Sequence, residues 1–177
     1  MPGLTQDTLV IRYGSGDGDQ PTSYPVGATQ QLYYGEVALM SGSGGVTTGY
    51  LKNAATAGAL DTVVGMLGGP GGAGGTYVET GSGVVGGSTD GAVWMNVQTG
   101  AFFFQSGTGA DQLSQATNGK TVYYGGENSS GPLAMATSAS STRPVLGIQL
   151  PQDPGIAGGS TPGSAYWPVV LNAVPRV

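Results

Sequence analysis

The chain contains no cysteine and no histidine. Without cysteine there are no disulfides, thiol nucleophiles or thiolate metal ligands. Without either residue there are no Cys/His zinc sites and no Ser-His or Cys-His catalytic arrangement. Charge is scarce as well: Asp, Glu, Lys and Arg make up 8 % of the 177 residues, against about 25 % in an ordinary domain. The five basic residues, Arg12, Lys52, Lys120, Arg143 and Arg176, are scattered singly. Phosphate neutralisation needs them clustered, so nucleic acid is not expected as a partner. No stretch approaches about 18 consecutive apolar residues, so no membrane-spanning helix is expected. The start, Met1-Pro2-Gly3-Leu4-Thr5-Gln6-Asp7, has neither a basic nor an apolar segment. No signal peptide is expected from it, and synthesis in the cytoplasm is.

Glycine is abundant: there are 35, with 11 prolines. Such content is typical of low-complexity chains. Disordered chains usually stay soluble through charge, whereas this one keeps 38 % hydrophobic residues, with its aromatics in short runs. A folded chain with many turns and long loops is therefore expected. Glycine costs a helix interior about 1 kcal/mol relative to alanine, and few helix-length windows lack one. Strands need only a few residues between glycine-bearing turns. The expected class is all-β: a compact barrel-like body with extended terminal arms and at most one short helix.

The segments that read as strands are Thr8–Tyr13, Gln31–Met40 (interrupted at Gly35), Thr62–Leu67, Thr76–Glu79, Ala92–Val97, Ala101–Gln105, Lys120–Tyr124, Leu133–Thr137, Val145–Leu150 and Tyr166–Val174. Ala92–Val97 and Ala101–Gln105 flank Gln98-Thr99-Gly100, a connection that suits a hairpin with Gly100 in the left-handed region. Both strands are apolar on both faces, so a second layer or another chain must cover them. Asp111–Thr117 is the most helix-like stretch, with Asp111 as N-cap and Asn118-Gly119 as stop.

Composition divides the chain into an arm at 1–22, a body at 23–150 with a glycine-rich loop at 65–91, and a linker with a final apolar strand at 151–177. A strand tethered beyond the Pro151–Gly163 linker can pair at home or with a neighbouring chain.

Motifs that could carry chemistry have simpler readings. Gly69-Pro70-Gly71-Gly72-Ala73-Gly74 fits G-x-G-x-x-G, but no helix follows it, and it reads as a loop. Asp17-Gly18-Asp19 lacks the spacing of a calcium loop and reads as a solvated turn. Glu36 and Glu79 are the acids expected on strands, and neither has a paired carboxylate motif beside it. No catalytic, cofactor-binding or metal-binding residue is assigned. Tyr33-Tyr34, Tyr123-Tyr124, Tyr166-Trp167 and Phe102–Phe104 could form a sugar platform. Core packing plus subunit contact is the reading for the phenylalanines, and both readings stand for Tyr166-Trp167.

From Val93 to Leu150 the chain resembles the head decoration, or capsid cement, proteins of tailed bacteriophages. The resemblance rests first on Val93–Val97, Gly100 and Phe102–Phe104. Next come Asp111–Thr117 leading into Gly119-Lys120-Thr121-Val122-Tyr123, and then Arg143-Pro144-Val145-Leu146-Gly147-Ile148. Earlier, Pro25–Ala28 through Tyr34–Leu39 and Thr62–Met66 resemble the family's opening strands. The acidic turn usual after Val-Tyr is here Tyr124-Gly125-Gly126-Glu127-Asn128, and the usual final strand is displaced to Tyr166–Val174.

The resemblance implies a β-barrel-like or β-tulip-like body on the outer surface of the virion capsid. It implies binding to the major capsid protein, a homo-oligomer (a trimer in many relatives), and no catalytic residue. On this reading Leu4, Leu9, Ile11 and Tyr13 are the candidate capsid-contact arm. Trp94, Phe102, Phe103, Phe104, Tyr166, Trp167, Val169 and Leu171 are the candidate inter-subunit contacts. The alternative reading is a carbohydrate-binding, host-attachment module of a phage or bacterial surface structure.

Overall fold

The computed structural model describes residues 22–42, 46–70, 83–128, 131–137, 143–152 and 166–171. Twelve strands run through them: β1 (Thr22–Pro25), β2 (Gln31–Leu32), β3 (Val37–Met40), β4 (Leu51–Lys52), β5 (Thr62–Pro70), β6 (Val84–Val85), β7 (Trp94–Gln98), β8 (Ala101–Ser106), β9 (Thr121–Asn128), β10 (Gly131–Met135), β11 (Val145–Gln149) and β12 (Tyr166–Leu171). Among the described residues there is no α-helix, only single 3-10 turns at Ala54–Thr56, Gly109–Asp111 and Gln115–Thr117. The protein is all-β.

The strands form a closed barrel in the order β10-β8-β12-β11-β9, a five-stranded sheet in the order β1-β7-β5-β3-β4, and a small pair, β2-β6. All pairings are antiparallel except β10 with β8. One core spans barrel and sheet. Phe102, Phe104, Val122, Tyr124, Leu146, Trp167 and Val169 line the barrel, and Val37, Leu39, Val63 and Met66 of the sheet join the same cluster. A second core on the sheet's other face gathers Val26, Ala38, Leu51, Val64, Leu67, Met95 and Val97, and is closed by Leu32 and Val84 of β2 and β6.

β5 serves both cores through a bulge. Val63 and Val64 face opposite sides, as strand alternation requires. After Gly65 the alternation shifts by one, so that Met66 again faces the barrel and Leu67 the second core. Val64 is the residue the register skips; beside it Gly65 has φ +155, and a Cβ there would lie 2.4 Å from the Gln98 carbonyl oxygen, so only glycine fits next to the bulge.

Pro168 sits within β12 although it cannot donate to a ladder. Its carbonyl accepts from Leu150 N–H at 2.8 Å. The N and C=O of one residue point to the same side of a strand, so the missing donor faces a position just past the end of β11.

The expected β7–β8 hairpin does not form. Thr99-Gly100 instead carries the chain from sheet to barrel: β7 pairs with β1 and β5, and β8 with β12 and β10. Gly100 does hold a positive φ, 116°. Each strand fills a different core with one face, Met95 and Val97 in one and Phe102 and Phe104 in the other, while Trp94 and Phe103 on the opposite faces point outward.

Asp111–Thr117 is two 3-10 turns rather than a helix. Asp111 ends the first turn instead of capping a helix, and the second stops at Asn118 as expected. Gln31–Met40 splits at a turn, residues 33–36, around Gly35. The glycine-rich stretch 65–91 is not one loop: β5 continues through Pro70, and β6 lies within it. Tyr166–Leu171 is an inner barrel strand of its own chain rather than an arm. Thr8–Tyr13, Asp17–Asp19, Thr76–Glu79 and most of the G-x-G-x-x-G match lie outside the described residues.

Candidate functional site

The barrel wall is the first candidate surface. Five of the residues expected at inter-subunit contacts, Phe102, Phe104, Trp167, Val169 and Leu171, are buried in the chain's own barrel core. Closing the barrel turns every second side chain of β8 and β12 inward, so these five have no surface to offer a second chain. This corrects their assignment. Phe103 stands on the outer wall, half-buried opposite Pro168, and Tyr166 is exposed opposite Gln105, whose Nε2 donates to its hydroxyl at 3.3 Å. Trp94 is exposed too, but on β7 of the sheet. The arm candidates Leu4, Leu9, Ile11 and Tyr13 lie outside the described residues.

The wall carries apolar residues that the sequence reading did not single out. Ile148 on β11 is 45 % exposed and pairs with Val170 on β12, 36 % exposed, which in turn pairs with Ala101 on β8. Val145, also exposed, pairs with Tyr123 on β9. None of these side chains, nor Phe103, Gln105, Thr121 or Tyr166 around them, bears a charge. The signal was legible in Val145-Leu146-Gly147-Ile148, whose first and fourth residues fall outside the barrel. The spacing departs from strict alternation because the register with β9 shifts between Val145 and Gly147.

The second cluster is internal. Glu36 precedes β3 and Glu127 lies on β9, and both are fully buried. Glu36 accepts from Ala54 N–H at 2.7 Å through Oε1 and from Tyr33 N–H at 2.9 Å through Oε2. Glu127 Oε1 accepts from Val37 N–H at 3.0 Å and from the Tyr124 hydroxyl at 3.1 Å. Its Oε2 is buried with no hydrogen-bond partner. The Val37 bond joins residues 90 apart in sequence, sheet to barrel.

Burial, reinforced by the charge of Glu127, pushes the Glu36 carboxyl up to about 8. Burial pushes Glu127 up to about 7, against the lowering effect of the Val37 and Tyr124 hydrogen bonds. Burial and the two carboxylates raise the Tyr124 phenol in turn. Burial favours the protonated form of each carboxyl, and the fully enclosed pair joins two layers. Sequence reasoning reached Glu36 but not its partner. Glu127 follows Gly125-Gly126 with no basic residue in the same stretch, and that isolation was the available signal.

Among the described residues, two ion pairs add to the polar framework. Lys52 Nζ and Asp61 Oδ2 are buried 2.9 Å apart, and Asp61 also accepts from the Gly42 and Gly58 N–H groups. Arg143 meets Asp111 at 2.9 Å and also donates to the Thr137 carbonyl, pinning the 3-10 turn to the segment that enters β11. The guanidinium holds the Asp111 carboxyl below its ordinary range.

Comparison with family models, with curated proteins and with solved structures finds no match for the chain.

Proposed function

We propose that the protein is a capsid-decorating, or cement, protein of a tailed bacteriophage. On this reading it binds the outer surface of the expanded shell and bridges neighbouring major capsid subunits as a homo-oligomer. The observation that carries the reading is the row of exposed apolar residues on the barrel wall, centred on Ile148 and Val170, in an all-β body. The ordered resemblance from Val93 to Leu150 supports it. Contiguous exposed apolar surface is a common mark of macromolecular contact, and on this reading the row is such a surface. A protein that binds the expanded shell in preference to its precursor stabilises it by mass action. Specific interfaces bury on the order of 1,000 Å² or more, and an oligomer multiplies its attachment through avidity.

The test is co-sedimentation of the purified protein with expanded capsids that lack it, alongside its mass in solution. Saturation at a fixed ratio to the major capsid protein is expected. A folded chain that never sediments with the shell would remove the proposal. Deleting residues 1–13 is expected to weaken binding while the body stays folded, and unchanged binding would remove the arm from the interface.

A further inference from the structure

The sheet carries a second exposed surface, away from the barrel wall. Trp94 opens β7 and is 44 % exposed, whereas Trp167, the chain's other tryptophan, is buried. The Trp94 indole N–H donates to the Gly91 carbonyl at 2.9 Å. The ring's one polar atom is thus satisfied within the chain, and the indole orientation is fixed by a local turn.

Gly91 itself is tied down, donating to the Val26 carbonyl at 2.9 Å with φ +75. A Cβ there would come within 3.3 Å of the Tyr50 ring and 3.8 Å of Pro25, so both rings flank the turn that holds the indole. Pro25 is also the cross-strand partner of Trp94.

The next register position on the same face pairs Ser23 with Asn96, and the Ser23 hydroxyl donates to Asn96 Oδ1 at 2.9 Å. Beside the turn lies Asp90, its carboxylate anchored by Ala28 N–H and the Thr47 hydroxyl. Those bonds, that of Thr47 first, hold its carboxyl below the ordinary value. The surface therefore offers a fixed aromatic plane, a hydroxyl–amide pair and one ionised acceptor.

That combination matches the chemistry of a sugar ring. The apolar C–H face of a pyranose stacks on an aromatic plane, and its hydroxyls seek amides and carboxylates. Phosphorylated or acidic ligands would face Asp90 and a chain of net charge −5. We propose that the surface around Trp94 binds a neutral glycan, with the indole as stacking platform and Ser23, Asn96 and Asp90 as partners for sugar hydroxyls. It shares no residue with the barrel wall, so it stands or falls independently of capsid binding.

Trp167 is buried in the barrel, so a ligand-induced emission change that Trp94→Phe abolishes is assigned to Trp94. The experiment titrates the full chain with chitohexaose, cellohexaose and maltohexaose while recording tryptophan emission and binding heat. At least one is expected to saturate with a Kd of about 0.1–1 mM and to shift the emission. Trp94→Ala is expected to weaken that binding about tenfold, with Trp94→Phe recovering part of it through the retained ring. Near-ultraviolet circular dichroism from Trp167 checks that both variants fold. No saturable binding of any of the three sugars by the folded chain overturns the proposal. Equal binding by Trp94→Ala does so too, as does an emission shift elicited by a proline-rich peptide and not by the sugars.

Discussion

Glu127 shows how a single carboxyl can set the behaviour of a junction. One oxygen receives Val37 N–H from the sheet and the Tyr124 hydroxyl from the barrel, and the other lies buried without a partner. With Glu36 nearby, ionising both places two like charges in one enclosed site. Both carboxyls have folded-state values, about 8 and about 7, above the ordinary 4.5. In that interval the folded state holds more protons than the unfolded one, so stability falls as pH rises. The contribution is complete below about pH 4.5 and is lost progressively up to about pH 8. Asp111 acts in the opposite sense: its lowered carboxyl contributes stability above its ordinary range that is lost as acid protonates it. The melting temperature is therefore expected to peak near pH 5 and to decline toward pH 8. Glu127→Gln keeps the acceptor for Val37 without a charge and should flatten that decline. A variant whose pH profile parallels the parent's would mean that the junction does not titrate.

At the scale of elements, β12 decides whether the barrel exists. It lies between β8 and β11, paired on both sides, and carries Trp167, Val169 and Leu171 into the core. Removing it opens two strand edges and strips the core of its tryptophan, and large-to-small changes at such sites cost about 3–5 kcal/mol each. A chain ending at Gln152 is expected to lose its cooperative melting transition, and Trp167→Ala to lower the transition sharply. A truncated chain that melts like the parent would show that β12 is dispensable.

β12 also illustrates what could be read before the structure. Its strand character followed from Tyr166-Trp167-Pro168-Val169-Val170-Leu171, but its place did not. Pairing partners are long-range, and no local pattern in residues 166–171 points to Phe102–Phe104 rather than to another chain. The β7–β8 step failed for a related reason. Turn chemistry at Gly100 was legible, but whether the turn folds a hairpin or crosses between layers depends on which core each strand fills. Short β1, β4 and β6 were missed because two to four residues carry too little periodicity to register. On the candidate wall, Tyr166 and Phe103 were among the expected contact residues, but nothing in Phe102–Phe104 told the outward Phe103 from its inward neighbours. Val145 and Ile148 carried a signal only in their spacing, which the β-bulge takes off strict alternation, and Val170 was hidden because outward and inward positions cannot be told apart in a run of uniformly apolar residues.

For the whole molecule, charge is the informative quantity. A net charge of −5 makes copies repel one another at long range, so a surface used for close association must contribute none of that charge. The side chains of Ile148, Val170, Val145, Phe103 and Tyr166 meet this condition, with Lys120 at their edge, while Asp90 and the Asp111–Arg143 pair lie on other elements. Association through such a wall derives its free energy from apolar burial and little from ion pairing. Two outcomes follow for the cement reading. Raising salt from about 0.05 M to about 0.5 M, which shortens the screening length severalfold, is expected to leave capsid co-sedimentation unchanged or slightly stronger. Ile148→Asp with Val170→Asp, exposed positions whose replacement spares the core, is expected to lower binding by tenfold or more, about 1.4 kcal/mol or greater. Binding that collapses with salt would place the contact on charged residues elsewhere. Binding that survives the double substitution in a folded protein would show that the barrel wall faces solvent on the capsid.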